Sequence, residues 1–264
     1  NKSQQILVRN PLKAVLLRFL KILFVPLSKK ETEERIVGKN LYNYQKQAIN
    51  KIFKSFEVEA DDYHLLYQLP TGGGKTVIFS EIVRQYLKHH NKKVAVLTHR
   101  IELCKQTSKM LTEFNVVNKV IDSKANLDDQ EKYSCFVAMV ETLNNRLNDN
   151  KLDISDIGLV IIDEAHYNSF TKLFKFFDKS FILGVTATPL SSNIELPMKK
   201  NYDELIVGET IASLIQDEFL ATPETFSYNV GLTSLIVGSN GDYTVKSSED
   251  LYTNSVMLGK LLQA

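Results

Sequence analysis

The chain has 264 residues, of which 44% are hydrophobic and 24% charged, with a formal net charge of +1. This is globular composition with ample material for a core, suiting one large domain or one domain with appended segments. Two cysteines without metal-ligand spacing, Cys104 and Cys135, exclude a disulfide scaffold and read as buried, reduced thiols of a cytoplasmic protein.

Residues 1–35 read as an N-terminal extension. Within "PLKAVLLRFLKILFVPL", Leu12, Val15, Leu16, Phe19, Leu20 and Leu23 recur at helical spacing, and Lys13, Arg18 and Lys21 interrupt the apolar run. No stretch approaches the ~20 apolar residues of a membrane span, so an amphipathic helix that docks on protein is expected. The charged "SKKETEER" that follows reads as a solvated linker.

From Leu41 onward short apolar runs alternate with helical patterns. "YHLLYQL" predicts a strand, and a Gly-rich turn and a helix to about Leu87 follow it. "KVAVLT" predicts a second strand, then a helix from Ile101 with Ile101, Cys104, Thr107 and Leu111 on one face. "SCFVAMV", "GLVIID" and "FILGVTA" predict three more strands. Continuous apolar strands separated by helices indicate a parallel sheet covered on both faces, and ligands of such sheets sit at the strands' carboxyl ends. After Pro189 the character changes. "YDELIVGETIASLIQDEFLATPETFSYNV" reads as a helix bracketed by extended pieces, "VGSNGDYTVKSSED" as polar turns, and "NSVMLGKLLQA" as a terminal helix.

Two motifs carry chemistry. "LPTGGGKT", Leu69 to Thr76, lies between a strand and a helix and follows the phosphate-loop pattern, except that Leu69 stands where glycine is usual. Thr71, Gly72, Gly73, Gly74, Lys75 and Thr76 form the candidate nucleotide-binding run. The glycines let backbone N–H groups point at phosphate oxygens, Lys75 neutralises the β and γ phosphates, and the Thr76 hydroxyl ligates magnesium. "IIDEAH" closes another strand with adjacent carboxylates, and burying charge is costly unless it is paired or bound to a cation. Asp163 is therefore expected to hold magnesium, and Glu164 to orient and deprotonate the attacking water.

"LPTGGGKT", "VIIDEAH" and "VTATP", in that order, resemble motifs I, II and III of superfamily 2 helicases and translocases, the DEAD/DEAH-box group. "LYNYQKQAI" resembles their Q-motif region, with Tyr42 and Asn43 standing where Arg-Pro is usual. "LTHRIELCKQT" resembles motif Ia, and "FVAMVETL" the segment often called Ib. The stretch after Tyr202 resembles the close of the first motor domain in RadD-like helicases and type I or type III restriction motor subunits. The resemblance covers about residues 36 to 264.

It implies an α/β RecA-like fold, a doubly wound parallel sheet of the P-loop NTPase class with an N-terminal helical extension. The ATP-binding domain would span 36–232, and 233–264 would lead toward a second RecA-like domain. Gln45 would read the adenine of ATP. His166, Thr186 and Thr188 would couple nucleotide state to grip on nucleic acid, and His99, Arg100, Lys105 and Thr142 would face its backbone, with DNA favoured over RNA. The second domain of such motors supplies an arginine finger from a Q-x-x-G-R-x-x-R pattern, and no arginine follows Arg146 here. The resemblance thus implies that the second domain is missing from this chain, which alone would hydrolyse ATP weakly. A helicase or translocase motor is the leading expectation. A nucleic-acid sensor or clamp, or a restriction-complex motor module without strand separation, shares every motif.

Overall fold

The computed structural model describes residues 40–58, 62–122, 130–149, 154–191, 195, 197–224, 235–238 and 243–253. The expected docking helix over 11–27, its charged linker and the expected terminal helix from Asn254 lie outside these residues. Among the described residues no helix is long and apolar enough to cross a membrane. By internal contacts the chain divides into two compact units, 1–220 and 221–264.

In the first unit the elements run α1 (Asn43–Val58), β1 (His64–Gln68), α2 (Lys75–His89), β2 (Lys93–Thr98) and α3 (Ile101–Glu113). They continue with β3 (Asn118–Ile121), β4 (Cys135–Met139), α4 (Val140–Asn148) and β5 (Ile157–Asp163). The unit closes with α5 (Thr171–Phe174), β6 (Phe181–Thr186), β7 (Glu204–Val207) and α6 (Ile211–Gln216). Seven strands form one sheet in the order β3-β4-β2-β5-β6-β1-β7, and every pairing is parallel. All carboxyl ends therefore share one rim.

Successive strand residues enter two separate cores, because side chains alternate across a sheet. Leu65 and Tyr67 pack with Ile49, Ile78 and Phe79 of α1 and α2, while Leu66 packs on the opposite face with Leu143 and Phe177. Every residue of β5 is buried, which is why its sequence is a continuous apolar run and not an alternation. Cys104 and Cys135 are both buried and free. Burial raises the pKa of both thiols.

Gly184 sits in the central strand β6. A Cβ there would lie 2.6 Å from the Tyr202 hydroxyl oxygen and 2.7 Å from its ring. Tyr202 is itself buried in the core, so it has little room to retreat. Gly184→Ala is expected to cost about 1–3 kcal/mol by overpacking. Thermal unfolding would show this as a Tm lower by several degrees.

In the second unit Val237 bridges Tyr243 in antiparallel fashion, and a helix, α7, covers Val245–Tyr252. The polar stretch expected to be turns thus contains a helix. Thr244 caps it by accepting the Ser247 N–H at 3.3 Å, a local signal that outweighs the polar composition. The edge strand β3 also went unread, being only four residues long and half exposed.

Candidate active site

The strand order decides what meets at the rim. β6 lies between β5 and β1, so the DEAH turn and the phosphate loop flank the end of one strand. That strand holds both. Leu69 N–H donates to the Thr186 carbonyl at 3.0 Å, and Ala165 N–H donates to the Val185 carbonyl at 3.0 Å.

The phosphate loop leaves β1 through the fully buried Leu69. Gly72 and Gly74 both have φ of +83°, a left-handed conformation that favours residues without a Cβ. Gly74 occupies the N-cap of α2 and has no side chain to satisfy the first-turn N–H groups. An uncapped helix start is an anion site, since free N–H groups and the helix dipole both favour negative charge. Thr71 and Gly72 are exposed beside it, Gly73 is buried and Thr76 half-buried. Lys75 is buried, and its Nζ lies 3.4 Å from the Leu69 carbonyl, a long contact that leaves the ammonium under-satisfied.

Asp163 ends β5 and is only 7% exposed. Its pKa is pushed up to about 6, first by burial and then by the neighbouring Glu164 carboxylate. Lys75 opposes that shift, as does the Glu164 N–H, which donates to Asp163 Oδ1 at 3.0 Å. Glu164 has φ of +54°, an unfavourable conformation for a side chain this long. Such strain persists only where the surroundings impose it, and it concentrates at functional sites. Across this turn Asp163 stays buried while the Glu164 carboxylate lies beside His166.

Among the described residues no group of three or more His, Cys, Asp or Glu side chains is placed to cage a metal unaided. Magnesium ordinarily takes one or two protein ligands together with substrate phosphates and water. A buried, under-compensated Asp163 within electrostatic reach of the phosphate loop's Lys75 fits that chemistry.

His166 joins the acid pair to β6. Its Nδ1 lies 3.0 Å from Thr186 Oγ1 and 3.4 Å from Glu164 Oε2. Thr186 Oγ1 also donates to the Thr188 carbonyl at 3.0 Å and accepts the Thr188 N–H at 3.1 Å. The single hydroxyl hydrogen is thus committed to Thr188, so the network assigns the imidazole hydrogen to Nδ1, from where it also faces Glu164.

Gln45, on α1, is 4% exposed and lies over the loop; its Nε2 would be 2.6 Å from a Cβ on Gly74. Its Oε1 accepts the Tyr42 N–H at 3.0 Å. Tyr44, which sequence reasoning missed, donates its hydroxyl to the Gly73 carbonyl at 2.8 Å. Its adjacency to Gln45 was the available signal.

The remaining candidates lie on the other side of β5. β2 and β4 are neighbours, so the starts of α3 and α4 stand together at the rim. Arg100 and Lys105 are exposed there, and Thr142 is half-buried. His99 differs, because its ring packs on Tyr167 with centroids 4.3 Å apart, and its Nδ1 is buried without a hydrogen-bond partner among the described residues. Burial and then Arg100 lower its pKa, which favours the neutral ring. Tyr167 in turn packs on His166 at 4.3 Å. Three rings thus link the β2 end to the acid pair, through a tyrosine that nothing in the sequence singled out.

Comparison with known proteins places this rim in a family. Residues 38–191 match the family described as type III restriction enzyme, res subunit. IRC3 of Saccharomyces cerevisiae, which carries the name of an ATP-dependent helicase, is 30% identical over 218 residues, covering 76% of this chain and 31% of IRC3. The ATP-dependent DNA helicase MPH1 of Scheffersomyces stipitis is 29% identical over 148 residues, covering 49% of this chain and 14% of MPH1. The chain therefore spans well under two thirds of either relative. The fold matches the UvsW helicase of bacteriophage T4 with a TM-score of 0.52 at 20% identity, covering 69% of this chain and 68% of that one. It also matches the type ISP restriction-modification enzyme LlaGI, solved with a DNA substrate mimic, with a TM-score of 0.56 at 18% identity, over 69% of this chain and 21% of that one. With more than half of its length matched, the chain belongs to the type III restriction enzyme res subunit family, and its parallel-sheet unit is a first RecA-like domain of the superfamily 2 helicase and translocase group.

Proposed function

We propose that this domain binds Mg·ATP at the β5-β6-β1 rim and hydrolyses it to drive movement on, or unwinding of, nucleic acid. The observation that carries the reading is the convergence of an uncapped helix start, a buried lysine and an adjacent carboxylate pair, one of them on a strained backbone, on the end of one strand. In that geometry the α2 N–H groups and Lys75 bind the β and γ phosphates, and Gln45 reads the adenine edge. Thr76 and Asp163 would hold magnesium, which offsets the charge of the phosphate oxygens. Glu164 takes the proton of the water attacking the γ phosphorus; the bond to the β-bridging oxygen breaks and ADP leaves.

Arg100, Lys105 and Thr142 form the grip on the nucleic-acid backbone, with DNA the favoured polymer because MPH1 bears the name of a DNA helicase. A second RecA-like domain, distinct from residues 1–264, supplies the arginine finger, so this chain alone turns over ATP weakly. Turnover of the protein carrying both RecA-like domains, measured without polymer, then with single-stranded DNA, duplex DNA and RNA, tests the reading. Strong stimulation by one polymer supports a motor and names its track, whereas turnover indifferent to all of them overturns it.

The His166–Thr186 bond is the coupling element of this reading. Loss of a hydrogen bond to an ionised network costs about 1.5–3 kcal/mol. His166→Ala is expected to lower polymer-stimulated turnover on the order of tenfold or more, with Mg·ATP affinity changed by no more than about threefold. Steady-state rates with and without polymer, beside equilibrium nucleotide binding, check it.

A further inference from the structure

The strand order also fixes which way a nucleotide must lie. Its γ phosphate points toward Glu164 at the end of β5, and its phosphates sit over the start of α2 beyond β1. The base then extends the opposite way, toward β7. Two pieces of chain occupy that side: the start of α1, and the turn that follows α6.

That turn is built firmly. Gly208 N–H donates to the Gln68 carbonyl at 2.8 Å, tying the exit from β7 to the end of β1. Thr210 and Ser213 form a reciprocal capping box at the start of α6. The helix closes at Glu218, whose φ is +60°. Phe219 N–H and Leu220 N–H then both donate to the Leu214 carbonyl, at 2.8 and 2.9 Å. Held this way, Leu220 reaches the phosphate loop, where its Cδ2 would be 2.8 Å from a Cβ on Gly72. Phe219 lies against both aromatics of the α1 start, 4.6 Å from Tyr42 and 5.0 Å from Tyr44 by ring centroids. Tyr42 is nevertheless 53% exposed and Phe219 37%. An aromatic shelf thus stands half open to solvent beside the phosphate loop, at the α1 start that carries Gln45.

We propose that the turn Glu218–Leu220 is the outer wall of the base pocket, with the Phe219 ring, backed by Tyr42, as the face on which the purine stacks. The proposal rests on the ATP reading above and adds the part of the site that sequence motifs leave unassigned. Gln45 reads the edge of the base and Phe219 holds its plane. Leu220 seats the same turn on Gly72, so the wall is anchored to the phosphate loop itself.

Calorimetric titration of the chain with Mg·ATP and, separately, with magnesium tripolyphosphate tests this, because the second probe has phosphates and no base. Base–aromatic stacking is worth on the order of 10- to 100-fold in affinity. Phe219→Ala is expected to lose that much for ATP with tripolyphosphate changed by no more than about twofold, and Phe219→Tyr to restore ATP binding. Tyr42→Ala provides a second variant at an exposed position and should show a weaker loss of the same selectivity. Phe219→Ala binding ATP as tightly as the parent, or more tightly, overturns the proposal, and the tighter result would make the ring a plug. Equal loss of both probes overturns it too, since the turn would then act only through the phosphate loop. Lys75→Ala separates the two readings: if it weakens neither probe, the phosphate site itself has been misassigned and the base wall falls with it.

Discussion

Glu164→Gln is expected to lower ATP turnover by about 10²–10⁴-fold, the range that a positioned general base contributes, and to leave Mg·ATP binding within about threefold. The substitution keeps the side chain's length and its ability to hold the turn. It removes the negative charge and the basic oxygen that accepts a proton from water. Glutamine tolerates a φ of +54° no better than glutamate, so the strained turn is preserved and the comparison isolates the chemistry. A second effect favours binding. Glu164 is one of the charges that raise the pKa of Asp163, and the neutral amide relieves that repulsion. Asp163 therefore ionises more readily, and its affinity for a magnesium-bound nucleotide is maintained. Single-turnover hydrolysis and equilibrium binding, measured on the same preparation, check both halves. Turnover falling in step with affinity would place Glu164 in ground-state binding and not in the chemical step.

The parts of this site legible in the sequence are those carried by contiguous residues. β5 reads as a strand because both of its faces are covered, so no polar residue interrupts Ile157 to Ile162. The phosphate loop reads because its glycines are consecutive and precede Lys75. What was not legible comes from different stretches of chain brought together by the sheet. Leu97 pairs with Ile162 across β2 and β5, and this register sets His99 near Tyr167; no local pattern encodes that meeting. Phe219 reaches Tyr42 only because β7 pairs with β1, which returns the chain to the phosphate loop some 175 residues after Tyr42. The left-handed conformation of Glu164 is equally silent in sequence, since glutamate gives no hint of positive φ. Local signals thus locate the chemistry, and the topology decides its neighbours.

Lys75→Ala is expected to weaken Mg·ATP binding on the order of 30- to 1000-fold, which corresponds to about 2–4 kcal/mol. The lysine is 9% exposed, so its charge acts where water screens it poorly. In the free domain the Nζ rests 3.4 Å from the Leu69 carbonyl, so little bonding is given up when it turns to a phosphate. Its attraction to phosphate is therefore largely net gain. The same residue opposes the upward shift of Asp163, and its removal leaves that acid with burial and Glu164 acting nearly unopposed. Asp163 in the variant takes up a proton more readily, and magnesium must then displace it. The defect should consequently deepen as pH falls toward 6, where Asp163 titrates, and ease as pH rises. Binding titrations across that pH range would read this directly. A loss that did not vary with pH would mean that Lys75 acts on phosphate alone, without supporting the metal-holding acid.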